Sequence, residues 1–333
     1  YNQHDNLNTG SSKVIRVDMM KFNPNETAFF ENKEYHDDEL LKSYENSRYD
    51  WDPSMTDSIL RVSKSSLGTH GFCQYQYKLQ YIHQMPVDEN YTMIRGTNVH
   101  AIVEYFWDHV DEVLPEVLEH ISKGNEYAAQ ETLKSVIPKP PEPYAYGEEA
   151  VIEKWLEWQF KRLLLLDDGK NWKPVGNEVS FHAKKHVEID GVMHPIHMRG
   201  FIDTIFSDGE GGFVLMELKT GKWNLKKAKS MREEMQFYRL ALEQGQFTKF
   251  LPVTHWAWEF PNGQDNGGVK AEWEIEEIGT RKTSYAPKTV ENKLKKLVKS
   301  HIENSFPPEP HARKCEWCDY MEMCPAWNDN VEE

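Results

Sequence analysis

The chain has 333 residues, 39% of them hydrophobic, enough to bury a sizeable core in one large domain or two modest ones. Its formal net charge of -15 argues against a protein that coats nucleic acid by bulk electrostatics, because nonspecific phosphate binding draws on clustered Lys and Arg. The longest purely aliphatic run is Leu163 to Leu166, far short of the roughly 18 to 20 apolar residues of a membrane span, so no transmembrane helix and no membrane partner are expected.

The charge is unevenly placed. Acidic residues crowd the N-terminal third and the stretch Glu272 to Glu277, whereas Lys219, Lys222, Lys226, Lys227, Lys229 and Arg232 fall close together, with a second basic group at Lys293, Lys295, Lys296 and Lys299. Taken alone, either basic group reads equally well as a solvated face. Residues 1–56 read as an acidic arm, and the polar start, Tyr1 to Lys13, lacks the apolar region of a secretory signal, so a cytoplasmic location is expected.

In chain order, Val99, Ile102, Val103, Phe106, Val110, Val113, Leu114, Val117 and Leu118 recur at helical spacing and predict one long amphipathic helix with His100 near its start. A proline-rich connector over 138–146 precedes a second helix, Glu149 to Leu166. After Gly176 the period becomes that of strands. Val179 to Ile189 and Val192 to Phe206 flank an Asp190-Gly191 hairpin turn, and Phe213 to Lys219 follows a glycine-rich loop. A helix over Leu225 to Gln244, strands over Lys249 to Phe260 and Val269 to Ile278, and a helix from Pro287 to Asn304 complete the pattern. The fold class expected is α/β, a mixed sheet core of order α-β-β-β-α-β flanked by helices. It divides into a mostly helical part (57–175), a sheet core (176–280), a C-terminal helix with a cysteine cluster (281–325) and a tail (326–333).

Asp203 lies near the end of one predicted strand, and Glu217 and Lys219 share a face of the next because side chains alternate with period two. Two neighbouring carboxylates repel unless a cation sits between them, and hard oxygen ligands suit Mg²⁺ or Mn²⁺. A lysine beside them can position the attacking water and offset charge developing on phosphate. Alternating charges on a strand more often serve only solubility. Here the flanking residues of Phe213-Val-Leu-Met-Glu-Leu-Lys219 are apolar, and charges in a buried strand need a reason.

The run Glu217-Leu218-Lys219-Thr220-Gly221 resembles the E/D-x-K-T-G motif of RecB-like nucleases in the PD-(D/E)xK superfamily. Gly200-Phe-Ile-Asp203 resembles their G-x-x-D motif, and Gly96-Thr-Asn-Val-His100 their G-x-x-x-H motif. The resemblance implies a restriction-endonuclease-like core in which His100, Asp203, Glu217 and the main-chain carbonyl of Leu218 hold Mg²⁺ or Mn²⁺, with Lys219 as catalytic lysine. The family's Q-x-x-x-Y motif is imperfect: Tyr238 fits its tyrosine, but Glu234 stands where the glutamine is usual. Lys222, Lys226 and Arg232 are candidate phosphate contacts.

Three of the four cysteines lie in Cys315-x2-Cys318-x5-Cys324, and the fourth is Cys73. Four thiolates complete one tetrahedral metal set, with Zn²⁺ and an iron–sulfur cubane as candidates. The spacing resembles the iron staple of RecB-like nucleases, which implies a 4Fe–4S cluster tying the two ends of the domain into a helical subdomain. Ser63-Lys-Ser-Ser-Leu67 followed by Cys73 is similar to the S-x-S-x-L…C stretch of the same proteins, with Gln74 where proline is usual. Together these imply a metal-dependent DNA exonuclease acting on single-stranded or end-containing DNA. No G-x-x-x-x-G-K-[ST] phosphate loop is present, so a helicase or other protein partner would supply any unwinding. The alternatives are a nuclease-like structural or DNA-binding subunit of a CRISPR, repair or viral DNA-processing complex, and a zinc-bound RNA-binding protein.

Overall fold

In a computed structural model, residues 60–87, 90–138, 144–166, 169–244, 248–263 and 273–328 are described. The acidic arm, most of the proline-rich connector, the turn before the last strand and the end of the tail lie outside them. A six-stranded mixed sheet has the order β1-β3-β4-β5-β6, with β2 paired to β3. The strands are β1 (Leu60–Val62), β2 (Gly176–Ile189), β3 (Val192–Ser207), β4 (Phe213–Leu218), β5 (Val253–Glu259) and β6 (Trp273–Glu277). The hairpin turn forms as read, with Asp190 and Gly191 at φ of 49° and 82°.

β3 sets the geometry of everything else. The antiparallel β2 runs along one whole edge, from Ile189 against Val192 to Gly176 against Ile205. Two strands therefore share the other edge. β1 runs parallel against Ile196–Met198, and β4 runs antiparallel, Phe213–Met216 against Thr204–Ser207. Both point their C-terminal ends at the stretch between, residues 199–203, where β3 has no ladder partner on that edge.

Two hydrophobic cores cover the sheet's faces. One packs Phe181, Ile196, Met198, Ile202 and Leu215 against α1 (Lys64–Phe72), α6 (Ala228–Gln244) and α7 (Ala286–Ile302). The other packs Phe206, Val214, Met216 and Leu218 against α2 (Tyr91–His109), α3 (Leu114–Ser122), α4 (Glu126–Lys134) and α5 (Glu148–Leu166). The single helix expected across Val99 to Leu118 is two helices, α2 and α3, joined by a tight turn over Val110–Glu112. Pro115 explains the break: it has no N–H to continue α2, and it sits in the first turn of α3, where none is needed.

Gly200 is fixed by packing. A Cβ there would meet the Phe181 ring at 3.0 Å, and Phe181 is fully buried with edge contacts to Phe237 and Tyr238. Gly200→Ala is expected to cost about 1–3 kcal/mol in urea unfolding, the usual penalty of overpacking.

Candidate active site

The gap on the edge of β3 collects side chains from six elements. Asp203 faces it from β3, and its Oδ2 accepts the Leu218 N–H at 2.7 Å, which ties the end of β4 across the opening. His100, on α2, brings Nδ1 to 3.5 Å from the same oxygen. Leu218, whose carbonyl is the expected ligand, also meets Asp203 through its N–H.

Glu217, buried at the end of β4, turns one oxygen toward two ammonium groups. Its Oε1 accepts from Lys219 at 2.9 Å and from Lys64 at 2.5 Å. Its Oε2 is buried without a hydrogen-bond partner. Lys64 is the first residue of α1, placed there by a reciprocal capping box in which Ser63 Oγ accepts from the Ser66 N–H and Ser66 Oγ from the Ser63 N–H. Glu234, on α6, accepts from Lys219 at 3.1 Å and lies 3.9 Å from Lys64. The buried Tyr238 ring sits below Lys64, 5.3 Å from its ammonium.

Two of these residues escaped the sequence reading. Lys64 sits 153 positions from Glu217. Glu178 is the other: His100, Glu178 and Asp203 each offer a ligand atom, all within 4.8 Å of one another. Counting back equally from the Asp190-Gly191 turn places Glu178 opposite Asp203, so the hairpin register was a usable signal. Glu178 also has a left-handed φ of 42°, a strained conformation for a non-glycine residue and one that concentrates at functional sites.

The electrostatics separate the carboxylates. Burial, then Asp203 and Glu104, push the Glu178 carboxyl up to about 9. Burial and the Glu217 charge also raise Asp203, against the opposing pull of His100 and Lys64. Burial would raise Glu217 too, but Lys219 and Lys64 outweigh it and hold that carboxyl well below its ordinary value. Burial would lower Lys219, yet Glu217 and Glu234 keep its ammonium charged far above neutral pH. One half of the site therefore carries protonatable acids near His100, and the other a fixed carboxylate–ammonium pair.

Glu259 braces the site from behind. Its carboxylate accepts from Trp155 Nε1 at 2.8 Å and Gln159 Nε2 at 2.5 Å, both on α5, while its carbonyl accepts the Lys219 N–H at 2.9 Å. Of the expected phosphate contacts, Lys222 and Lys226 are exposed just beyond Lys219. Arg232 is instead committed to Glu276 on β6, through Nε at 2.7 Å and Nη2 at 2.5 Å.

A family model for the PD-(D/E)XK nuclease superfamily matches residues 61–325. The chain belongs to this superfamily. Its mixed sheet with flanking helices agrees with the family's restriction-endonuclease-like fold. Among solved structures, a candidate exonuclease from Eubacterium rectale is similar at 15% identity and a TM-score of 0.42, over 86% of this chain and 92% of that one. The crystal structure of SSO0001 is similar at 13% identity and a TM-score of 0.36, over 86% of this chain and 94% of that one. No curated protein matches. Among the described residues, no helix is long and apolar enough to cross a membrane.

A divalent cation fits this superfamily member's cleft on two observations: the three convergent donors of His100, Glu178 and Asp203, and the orphaned buried oxygen of Glu217.

The cysteines lie away from the cleft. Cys73, in the bend after α1, lines one partly open cavity with Cys315, Cys318 and Cys324. None is in a disulfide. Burial raises the Cys318 thiol, the Tyr320 N–H opposes this, and the neighbouring Cys73 and Cys315 add to it. Lys314 Nζ donates to the Phe72 carbonyl at 3.0 Å and Gln74 Nε2 to Glu309 at 3.1 Å, holding the C-terminal segment on α1.

Proposed function

We propose that this chain is a divalent-cation-dependent deoxyribonuclease, an exonuclease acting on single-stranded or end-containing DNA. The observation that carries the reading is the convergence of His100, Glu178 and Asp203, with the Glu217 charge near enough to raise the Asp203 carboxyl and Lys219 bound to Glu217. His100, Glu178, Asp203 and Glu217 would hold Mg²⁺ or Mn²⁺. The ion supplies Lewis acidity toward the phosphate and lowers the pKa of the attacking water.

The protein's own groups do the rest. Lys219 stays protonated, so it acts as a cation: it orients the nucleophilic water by hydrogen bonding and offsets charge building on the phosphate oxygens. Glu217, held well below its ordinary value by Lys219 and Lys64, stays charged at neutral pH and serves as the fixed ligand. Glu234 also accepts from Lys219 and so helps to orient it, a task a glutamine at that position could share. Incubation with 5′- and 3′-labelled linear strands and with a single-stranded circle tests the assignment. Shortening of the linear strands in Mg²⁺ or Mn²⁺, abolished by chelator, with the circle spared, is the expected result; cutting of the circle would exclude an exonuclease.

We infer further that Cys73, Cys315, Cys318 and Cys324 hold one 4Fe–4S cluster and not zinc. In support, all four line one cavity, and the remote Cys73 joins a Cys315-x2-Cys318-x5-Cys324 tail in place of the two paired C-x-x-C knuckles usual for structural zinc. Anaerobic purification should give a brown protein with broad visible absorbance and bound iron. Cys315→Ser with Cys318→Ser should bleach it and, by opening a loop of roughly 240 residues, cost about 3–5 kcal/mol of stability. A colourless protein with stoichiometric zinc would refute the cluster.

A further inference from the structure

Outside the cleft, a strip of basic and aromatic side chains lies on the outer face of the β2–β3 hairpin. Phe181, Ala183, Val187, Ile196 and Met198 point into the core, so the alternating residues between them face the other way. Register pairs His182 with Arg199 and Lys184 with His197 across the hairpin, and Arg61 of β1 with His197 on the far side. Phe201 follows on β3, 52% exposed. Lys184, Arg199 and Arg61 thus place three cationic side chains on one sheet face of a chain whose net charge is -15.

The strip leads into the site. Phe201 precedes Asp203 by two residues, a step that stays on one strand face. From Lys184 to Glu178 it spans roughly 20 Å at 3.3 Å per residue, room for several consecutive phosphates. His182 and His197 form its floor, with ring nitrogens 2.8 Å apart. Burial, then neighbouring charges that include Arg199 and Arg61, lower them to about 4 and about 3, so at neutral pH the floor is uncharged.

We propose that this face is a track for one unpaired polynucleotide strand that feeds the carboxylate cleft, its phosphates against Lys184, Arg199 and Arg61 and a base stacked on Phe201. The proposal rests on the nuclease reading and extends it from the reacting phosphate to the path of the substrate. An exposed aromatic ring among cationic side chains suits bases whose faces are free, and a duplex hides those faces.

Fluorescence anisotropy of a labelled single strand, in chelator so that nothing is cut, tests this. Lys184→Ala with Arg199→Ala is expected to weaken binding about tenfold or more and to lower the slope of log affinity against log salt by about 1.4, some 0.7 per lost phosphate contact. Phe201→Ala should weaken it about fivefold or more. Lys295→Ala with Lys299→Ala, which removes the same charge from exposed positions on α7, should change affinity less than about twofold. Equal losses from the two pairs, an unchanged salt slope, or wild-type binding as tight to duplex as to the single strand would each overturn the track. Thermal melting of every variant checks that it is folded. Wild-type hydrolysis of the p-nitrophenyl ester of thymidine 5′-phosphate reports the cleft by itself: its absence, with the binding results as expected, would sink the nuclease reading and leave the track standing.

Discussion

Lys219→Met is expected to reduce cation-dependent strand cleavage about 10²- to 10³-fold, the usual cost of removing one preorganised group that stabilises developing charge. The variant keeps the aliphatic stem but removes the ammonium that Glu217 and Glu234 share. Lys64 still neutralises Glu217, so the fold survives; the loss of two charge-assisted hydrogen bonds around a buried carboxylate should still cost about 1–3 kcal/mol. Single-turnover cleavage and urea unfolding on the same preparation separate the two effects. Cleavage within about threefold of wild type would remove Lys219 from the chemistry.

The second large effect is a pH dependence seated in Glu178. With its carboxyl raised to about 9, the folded, cation-free protein keeps a proton that the unfolded chain loses near pH 4.5. The folded state then binds more protons, so this group's contribution to stability is complete below pH 4.5 and is lost as pH rises toward 9, by at most about 1.4 kcal/mol per unit. Glu178 and Asp203 interact, so the decline belongs to the pair. Unfolding in chelator across this range should show it, and Glu178→Gln should flatten it. Binding of a divalent ion must expel the same proton, so affinity should rise with pH over the same interval, and calorimetry in two buffers of different ionisation heat should detect proton release. A wild-type profile as flat as that of Glu178→Gln would exclude this origin.

Much of this was readable from residue order, and the failures have physical causes. Strands β2 to β5 announce themselves by period and by the Asp190-Gly191 turn, and Asp203, Glu217 and Lys219 by charges set in apolar runs. β1 went unread because three residues carry no period, yet it delivers Lys64 to the cleft. Nothing local marks Lys64, whose role arises from a contact between distant parts of the chain. Glu178 was legible in principle, since the turn fixes the register, but an acid in a strand looks like any solvated position until its partner is counted out. The break at Pro115 was an error of weight: the apolar period was allowed to override a residue that cannot continue a helix. Arg232 shows the opposite hazard, a basic residue in a suggestive cluster that is spent on Glu276.

The two cores on opposite faces of the sheet divide the labour of the cleft. His100 rides on a helix anchored by Phe106 and Val103 in one core, whereas Glu234 and Tyr238 ride on a helix anchored by Met235 and Leu242 in the other. Inactivating substitutions far from the cleft should therefore sort into two phenotypes. Damage beneath α2 would yield proteins that bind the ion poorly yet regain turnover when it is supplied in excess. Damage beneath α6 would yield proteins that load normally and stay slow at any concentration.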